Sequence, residues 1–96
     1  MVVRGSFAGH EFVDVTNRAT AQLTEDTYDG AVGAFITVQG GPIRFRLDGN
    51  RPSYPNGHVA GEGDIIELHS RDELQRFRAV ADAETAAILQ VSYSHG

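Results

Sequence analysis

The sequence predicts an all-β fold: a small antiparallel β-sandwich or jelly-roll-like domain with one short helical turn. Three observations predict it. Apolar residues recur with a period of two in short runs, turn residues interrupt those runs at short intervals, and the one helix-start signal has little room to propagate. The chain has 96 residues with 11 glycines, too few for two cores of ordinary size, so residues 1–96 form one domain. Within it, residues 1–33 are expected to be an extended or less regular N-terminal arm. A chain this long hides only somewhat more than ~60% of its unfolded surface, so its core is modest and assembly with copies of itself is a natural supplement.

Taken in order, residues 11–16 and 19–24 read as strands, and the acidic run at 25–30 (EDTYDG) as a turn. The clearest local signal follows. Residues 34–38 (AFITV) and 43–47 (IRFRL) flank Gln39-Gly40-Gly41-Pro42, which reads as a hairpin with a Gly-rich turn. In the second arm Ile43, Phe45 and Leu47 share one face and Arg44 and Arg46 the other, the period expected of a half-buried strand. The first arm is apolar on both sides, which places it inside a sheet.

Asp48-Gly49 suits positive backbone φ, and residues 51–57 (RPSYPNG) are loop chemistry. Residues 58–60 make a short strand, Gly61-Glu62-Gly63-Asp64 a tight turn, and residues 65–68 (IIEL) another strand. Ser70-Arg71-Asp72-Glu73 fits the S-x-x-E capping box, in which both side chains satisfy free N–H groups at a helix start. The helix lasts only a turn or so before residues 76–80 become extended. Residues 82–85 turn, and residues 87–93 close the chain as a strand with Leu89, Val91 and Tyr93 on one face and Ile88, Gln90 and Ser92 on the other.

Thirteen acidic against 8 basic residues give a net charge of −5, which argues against a phosphate-backbone binder, so nucleic acid is not an expected partner. Every basic residue is Arg, whose planar fork suits carboxylates across an interface; a G+C-rich genome produces the same usage. With no Cys there are no disulfides, no thiolate catalysis and no Cys-ligated zinc. The longest weakly polar stretch, 31–38, is far below the ~20 residues needed to cross a bilayer, and the opening MVVRGSFAGHEF lacks a signal pattern, so the chain reads as soluble and unprocessed with no membrane partner.

No catalytic, cofactor-binding or metal-ligating set can be assembled from the residues. His10, His58, His69 and His95 are scattered without ligand spacing, and residues 48–53 begin like a calcium loop but carry Pro52 and Ser53 where a ligand and a glycine are needed. There is no G-x-S-x-G, and Gly61-x-Gly63 lacks the third glycine of a dinucleotide loop. The expectation is that the protein is not an enzyme.

More telling is R-F-R, which occurs as Arg44-Phe45-Arg46 and again as Arg76-Phe77-Arg78. On neighbouring strands these would line four guanidinium groups along one outer face. Two readings compete: in-chain pairing with Glu67, Asp72, Glu73 and Asp82, or an Arg-studded docking surface for an acidic neighbouring subunit. The charge distribution suits the second. Residues 1–40 carry 2 basic and 5 acidic side chains, residues 41–80 carry 6 and 6, and residues 81–96 carry 0 and 2. Tyr54, between Pro52 and Pro55, is a further interface candidate: it stacks on a sugar, plugs a partner's pocket, or covers its own loop.

Residues 43–49 (IRFRLDG), Pro52-Ser53, Gly57-His58, 63–68 (GDIIEL), Leu74, 77–79 (FRA) and 87–93 (AILQVSY) form an ordered set. Over residues 34–93 the chain resembles small virion structural proteins of tailed bacteriophages. The resemblance implies an all-β fold without a catalytic motif and a role as a capsid decoration or cement protein, or as a neck or tail part. It further implies a homo-oligomer, with a trimer favoured, partnered by the major capsid protein or other virion subunits. Such a protein would be soluble in the host cytoplasm before assembly and end on the capsid surface. Residues 43–53 are also similar to the strand and turn of a small β-sandwich domain appended to some chitin- and hexosamine-cleaving enzymes, departing from it at Arg44 and Arg46. That similarity implies an alternative, a carbohydrate-binding module with Tyr54 and residues 48–57 against the sugar.

Overall fold

The computed structural model describes residues 7–95. Seven strands, β1 (Phe7–Val15), β2 (Gly33–Gln39), β3 (Ile43–Arg46), β4 (His58–Ala60), β5 (Ile65–Leu68), β6 (Arg78–Ala81) and β7 (Ala87–Ser94), are joined by two short helices, α1 (Glu25–Tyr28) and α2 (Arg71–Arg76). The strands form a four-stranded sheet in the order β1-β7-β2-β5 and a three-stranded sheet in the order β4-β3-β6. Every pairing within the sheets is antiparallel. The chain is a small all-β domain, as its periodicity predicts.

Side-chain alternation builds the core. Ala87, Leu89, Val91 and Tyr93 of β7 are buried, and they lie opposite Val38, Ile36 and Ala34 of β2, which are buried as well. Ile43, Ala79 and Ala81 of the smaller sheet join the same cluster together with Leu74 and Phe77, and Phe45 packs against it. Phe45 stacks on Phe77 with ring centres 5.8 Å apart.

Three expectations need correction. The first concerns the hairpin: β2 and β3 have the foreseen composition and turn, yet they lie in different sheets. Both edges of β2 are already taken, by β7 and by β5, so the chain at Gly40-Gly41-Pro42 turns a corner between layers. Gly40 makes this possible at φ +87°, where a Cβ would lie 3.2 Å from the Ala86 carbonyl oxygen.

The second concerns the arm. Within residues 1–33, β1 is a full strand of the larger sheet, pairing with β7 down to Val15↔Ala87, so it begins earlier than residue 11 and is not a loose extension. The less regular part is 16–32, which crosses to the other layer. There the Ala81 amide donates to the Thr16 carbonyl at 2.9 Å, and Ala21 exchanges hydrogen bonds with Ala79 at 2.8 and 3.0 Å. The strand expected at 19–24 is therefore a single bridge. The third concerns helix: α1 adds a second short turn, in which Tyr28 is buried beside Tyr93 with ring centres 6.2 Å apart.

At α2 the sequence signal holds with one variation. Ser70 Oγ accepts from the Glu73 amide at 3.1 Å, while Glu73 Oε1 accepts at 2.6 Å from the His69 amide, one residue before the cap.

Candidate functional site

Two of the interface candidates, Arg44 and Tyr54, come together on the outer face of the smaller sheet. β3 is central there, flanked by β4 and β6, which places Arg44 between Val59 and Val80. Its guanidinium is largely buried: Nε donates to Asp82 Oδ1 at 3.0 Å and Nη1 to the Gly57 carbonyl at 3.3 Å. Gly57 lets the 48–57 loop lie directly on the Arg44 stem. At φ +127° a Cβ there would lie 2.8 Å from Arg44 Cγ and 3.1 Å from the Phe45 carbonyl oxygen.

Ser53 and Asn56 pair through their backbones and hold Tyr54-Pro55 at the loop tip, with a cis peptide bond between those two. Tyr54 is 86% exposed, and the Arg44 guanidinium carbon lies 5.5 Å from its ring centre. Beside them runs an open groove of about 390 Å³, with Val80 and Pro52 on its apolar side and Asn17, Arg51, Asp82 and Glu84 as polar lining. Arg51 is anchored to the crossing segment, donating to Thr20 Oγ1 at 2.8 Å and to the Asn17 carbonyl at 3.3 Å. The groove thus combines a flat aromatic surface with both donors and acceptors.

The other three arginines are engaged elsewhere. Arg46 forks onto Asp48, with Nε 3.0 Å from Oδ1 and a second contact between Nη2 and Oδ2. Hydrogen bonding from Arg46 holds the Asp48 carboxyl down at about 2. Arg78 lies opposite Arg46 in the register but turns its Nη1 onto the Gln75 and Phe77 carbonyls at 2.9 and 2.8 Å. Arg76 is the last residue of α2, where its Nε donates to Asp72 Oδ1 at 3.0 Å.

The four-arginine row therefore does not form. The second R-F-R straddles a helix end and a strand start, so only Arg44, Arg46 and Arg78 share a face. Asp82 and Asp72 are the in-chain partners that the sequence suggested, and Asp48 is one that it did not. Glu73 caps α2, and Glu67 lies 3.7 Å from His69. Two acids of the N-terminal third, Glu11 and Asp29, are also engaged within the chain. Glu11 accepts from Tyr93 Oη at 2.5 Å and from Thr24, and Asp29 lies 3.7 Å from Arg71. Burial, then the Glu11 carboxylate, push the Tyr93 phenol well above the ordinary range.

A second surface escaped the sequence reading. The outer face of the larger sheet carries His10, Phe12 and Asp14 of β1, Ile88, Gln90 and Ser92 of β7, Phe35 and Thr37 of β2, and Ile65 of β5. Phe12 is 63%, Ile65 44% and Ile88 38% exposed. The available signal was β2 itself: residues apolar on both sides imply two covered faces, and only one is covered within this chain.

Among the described residues, no three His, Asp or Glu side chains are grouped to hold a metal ion, and no helix is long and apolar enough to cross a membrane. The chain matches no family model, no curated protein and no solved structure.

Proposed function

We propose that this protein is a non-catalytic structural subunit of a tailed-bacteriophage virion, a capsid decoration or cement protein that binds the outside of the capsid and adds contact area between capsid subunits. The observation that carries the reading is the outer face of the larger sheet. A solvated sheet face is normally polar, whereas this one exposes Phe12, Ile65 and Ile88 among uncharged Thr37, Gln90 and Ser92, with His10, Asp14 and Glu67 on its two edge strands. The ordered residue set that resembles small virion proteins points the same way. Gradient-purified particles should contain the protein in fixed ratio to the major capsid protein, and Ile65→Lys with Ile88→Lys should abolish that association. Recovery from the host lysate alone, never from particles, would sink the idea.

A second reading has its own observation. The exposed Tyr54 ring beside a groove of mixed donors and acceptors suits a pyranose, which presents an apolar face for stacking and hydroxyls for hydrogen bonds. A glycan array should then give signal that Tyr54→Ala removes. A blank array with the parent protein discards this reading.

A further inference from the structure

β1 is an edge strand with an open side. Its ladder runs to β7, and among the described residues no backbone hydrogen bond leaves it for any other segment. Antiparallel strands direct the N–H and C=O of alternate residues to the same neighbour, so the other alternate set along β1 points away from β7 without a backbone partner. The remaining edges differ. β6 is covered by the 16–21 crossing, and β4 and β5 have only three and four residues against nine in β1.

The side chains on the outer face of β1 read His10, Phe12, Asp14, which is self-complementary when reversed: a base and an acid placed symmetrically about an aromatic residue. The His10 ring nitrogens lie 3.1 Å from Ser92 Oγ and 2.8 Å from Gln90 Oε1 of β7, so that pairing exchanges the Ser92 contact for the acid of the second copy. We propose that β1 is the pairing edge for a second copy of this chain. Two β1 strands run antiparallel about a two-fold axis at Phe12 and join two four-stranded sheets into one continuous sheet. Phe12 then packs on Phe12 of the second copy, and each His10 stands opposite an Asp14.

Other registers lose this match. Both core faces must stay on the same side, so the strands can slip only in steps that preserve facing. Moving the axis to Glu11 sets two Glu11 side chains against each other. Moving it to Val13 sets each Phe12 against an Asp14 and leaves His10 without its acid. The pairing also accounts for Phe12, the most exposed large apolar residue of the larger sheet at 63%, by placing it at the centre of an interface. This inference does not depend on the virion reading.

Sedimentation velocity over a wide concentration range should show a reversible species of twice 10.4 kDa. Phe12→Lys should weaken it at least tenfold. His10→Asp should weaken it, and His10→Asp combined with Asp14→His should restore it, because the swap again sets an imidazole opposite a carboxylate. The chain has no Cys, so introduced thiols report the register directly. Phe12→Cys should cross-link readily under mild oxidant, while Asp14→Cys, two residues off the axis and so four residues along the strand from its copy, should not. Far-UV circular dichroism of each variant should match the parent, since these positions are solvent-facing. A monomer at every concentration, a trimer, or equal cross-linking at positions 12 and 14 overturns the pairing. A monomer that still co-purifies with particles overturns the pairing and leaves the virion reading standing; a dimer absent from particles does the reverse.

Discussion

Three of the four strands of the larger sheet have nine, seven and eight residues and only β5 is as short as four, whereas every strand of the smaller sheet has three or four. The long strands hold together through their ladders and a regular apolar face. The short ones depend on ties from outside the sheet: the Arg44–Asp82 pair, the 48–57 loop pressed onto Arg44, the Ala21–Ala79 bridge and the Phe45–Phe77 stack. One layer is thus a self-supporting platform, and the other is a set of short strands fastened to it. The difference also divides function. The platform offers an outer face with Phe12, Ile65 and Ile88 exposed among polar residues and, among the described residues, an open edge, while the fastened layer, interrupted by loops, supplies the groove at Tyr54.

The largest effect should come from Phe77→Ala. Phe77 is fully buried between α2 and the smaller sheet, and its loss should cost about 3–5 kcal/mol. Hydrogen exchange should then show β3 and β6 amides opening well before those of β7. Simultaneous opening of both sheets would remove the platform-and-attachment distinction. Next comes Arg44→Ala, expected to cost about 2 kcal/mol. That is below the value for a fully buried pair, because the Asp82 side chain is 29% exposed; chemical denaturation should show recovery of part of the loss in the Arg44→Ala, Asp82→Ala double variant. Ser70→Ala removes the α2 cap and should cost about 1 kcal/mol by the same measurement.

The smallest effects are titrations, and the two sheets should show them at opposite ends of the pH range. In the larger sheet the folded-state Tyr93 phenol is raised above its ordinary value of 10.0, so the stability it contributes is intact below pH 10 and is lost as pH rises further. Tyr93→Phe should flatten the alkaline fall in Tm. In the loop after β3 of the smaller sheet, Asp48 is lowered from 3.8 to about 2, so its contribution is present above pH 3.8 and fades as pH falls towards 2. Asp48→Asn should lower Tm slightly at pH 7 and converge with the parent as pH falls towards 2, which flattens the acid limb. Because Asp48 is solvent-exposed, this should be the weakest effect of the series.

Much of the local structure was legible. The Ser70 cap, the Gly61–Asp64 turn with Gly63 at φ +88°, the chain reversal at Gly49 with φ +83°, and the strands at 58–60, 65–68 and 87–93 all follow from residues within a few positions of one another. The misreadings share one cause, which is that the deciding partner lies far along the chain. β1 was legible only from residue 11, and the inward Glu11 at that start is satisfied by Tyr93, 82 residues away. The two R-F-R segments are identical in sequence, yet a helix start six residues before the second Arg-Phe makes Arg76 the end of α2 and removes it from the strand face. Of the candidate site, Arg44 and Tyr54 were legible as residues, but not their meeting, which requires Gly57 to bring the loop onto β3.

The sequence by itself therefore determined an all-β domain, most of its turns and which residues face inward, since period and turn chemistry are local properties of the side chains. Only the tertiary structure decided that β2 and β3 part into separate layers, that β1 ends at an open edge and that the arginines find partners within the chain. Strand pairing is a competition among edges, and which edges are already filled depends on segments tens of residues apart.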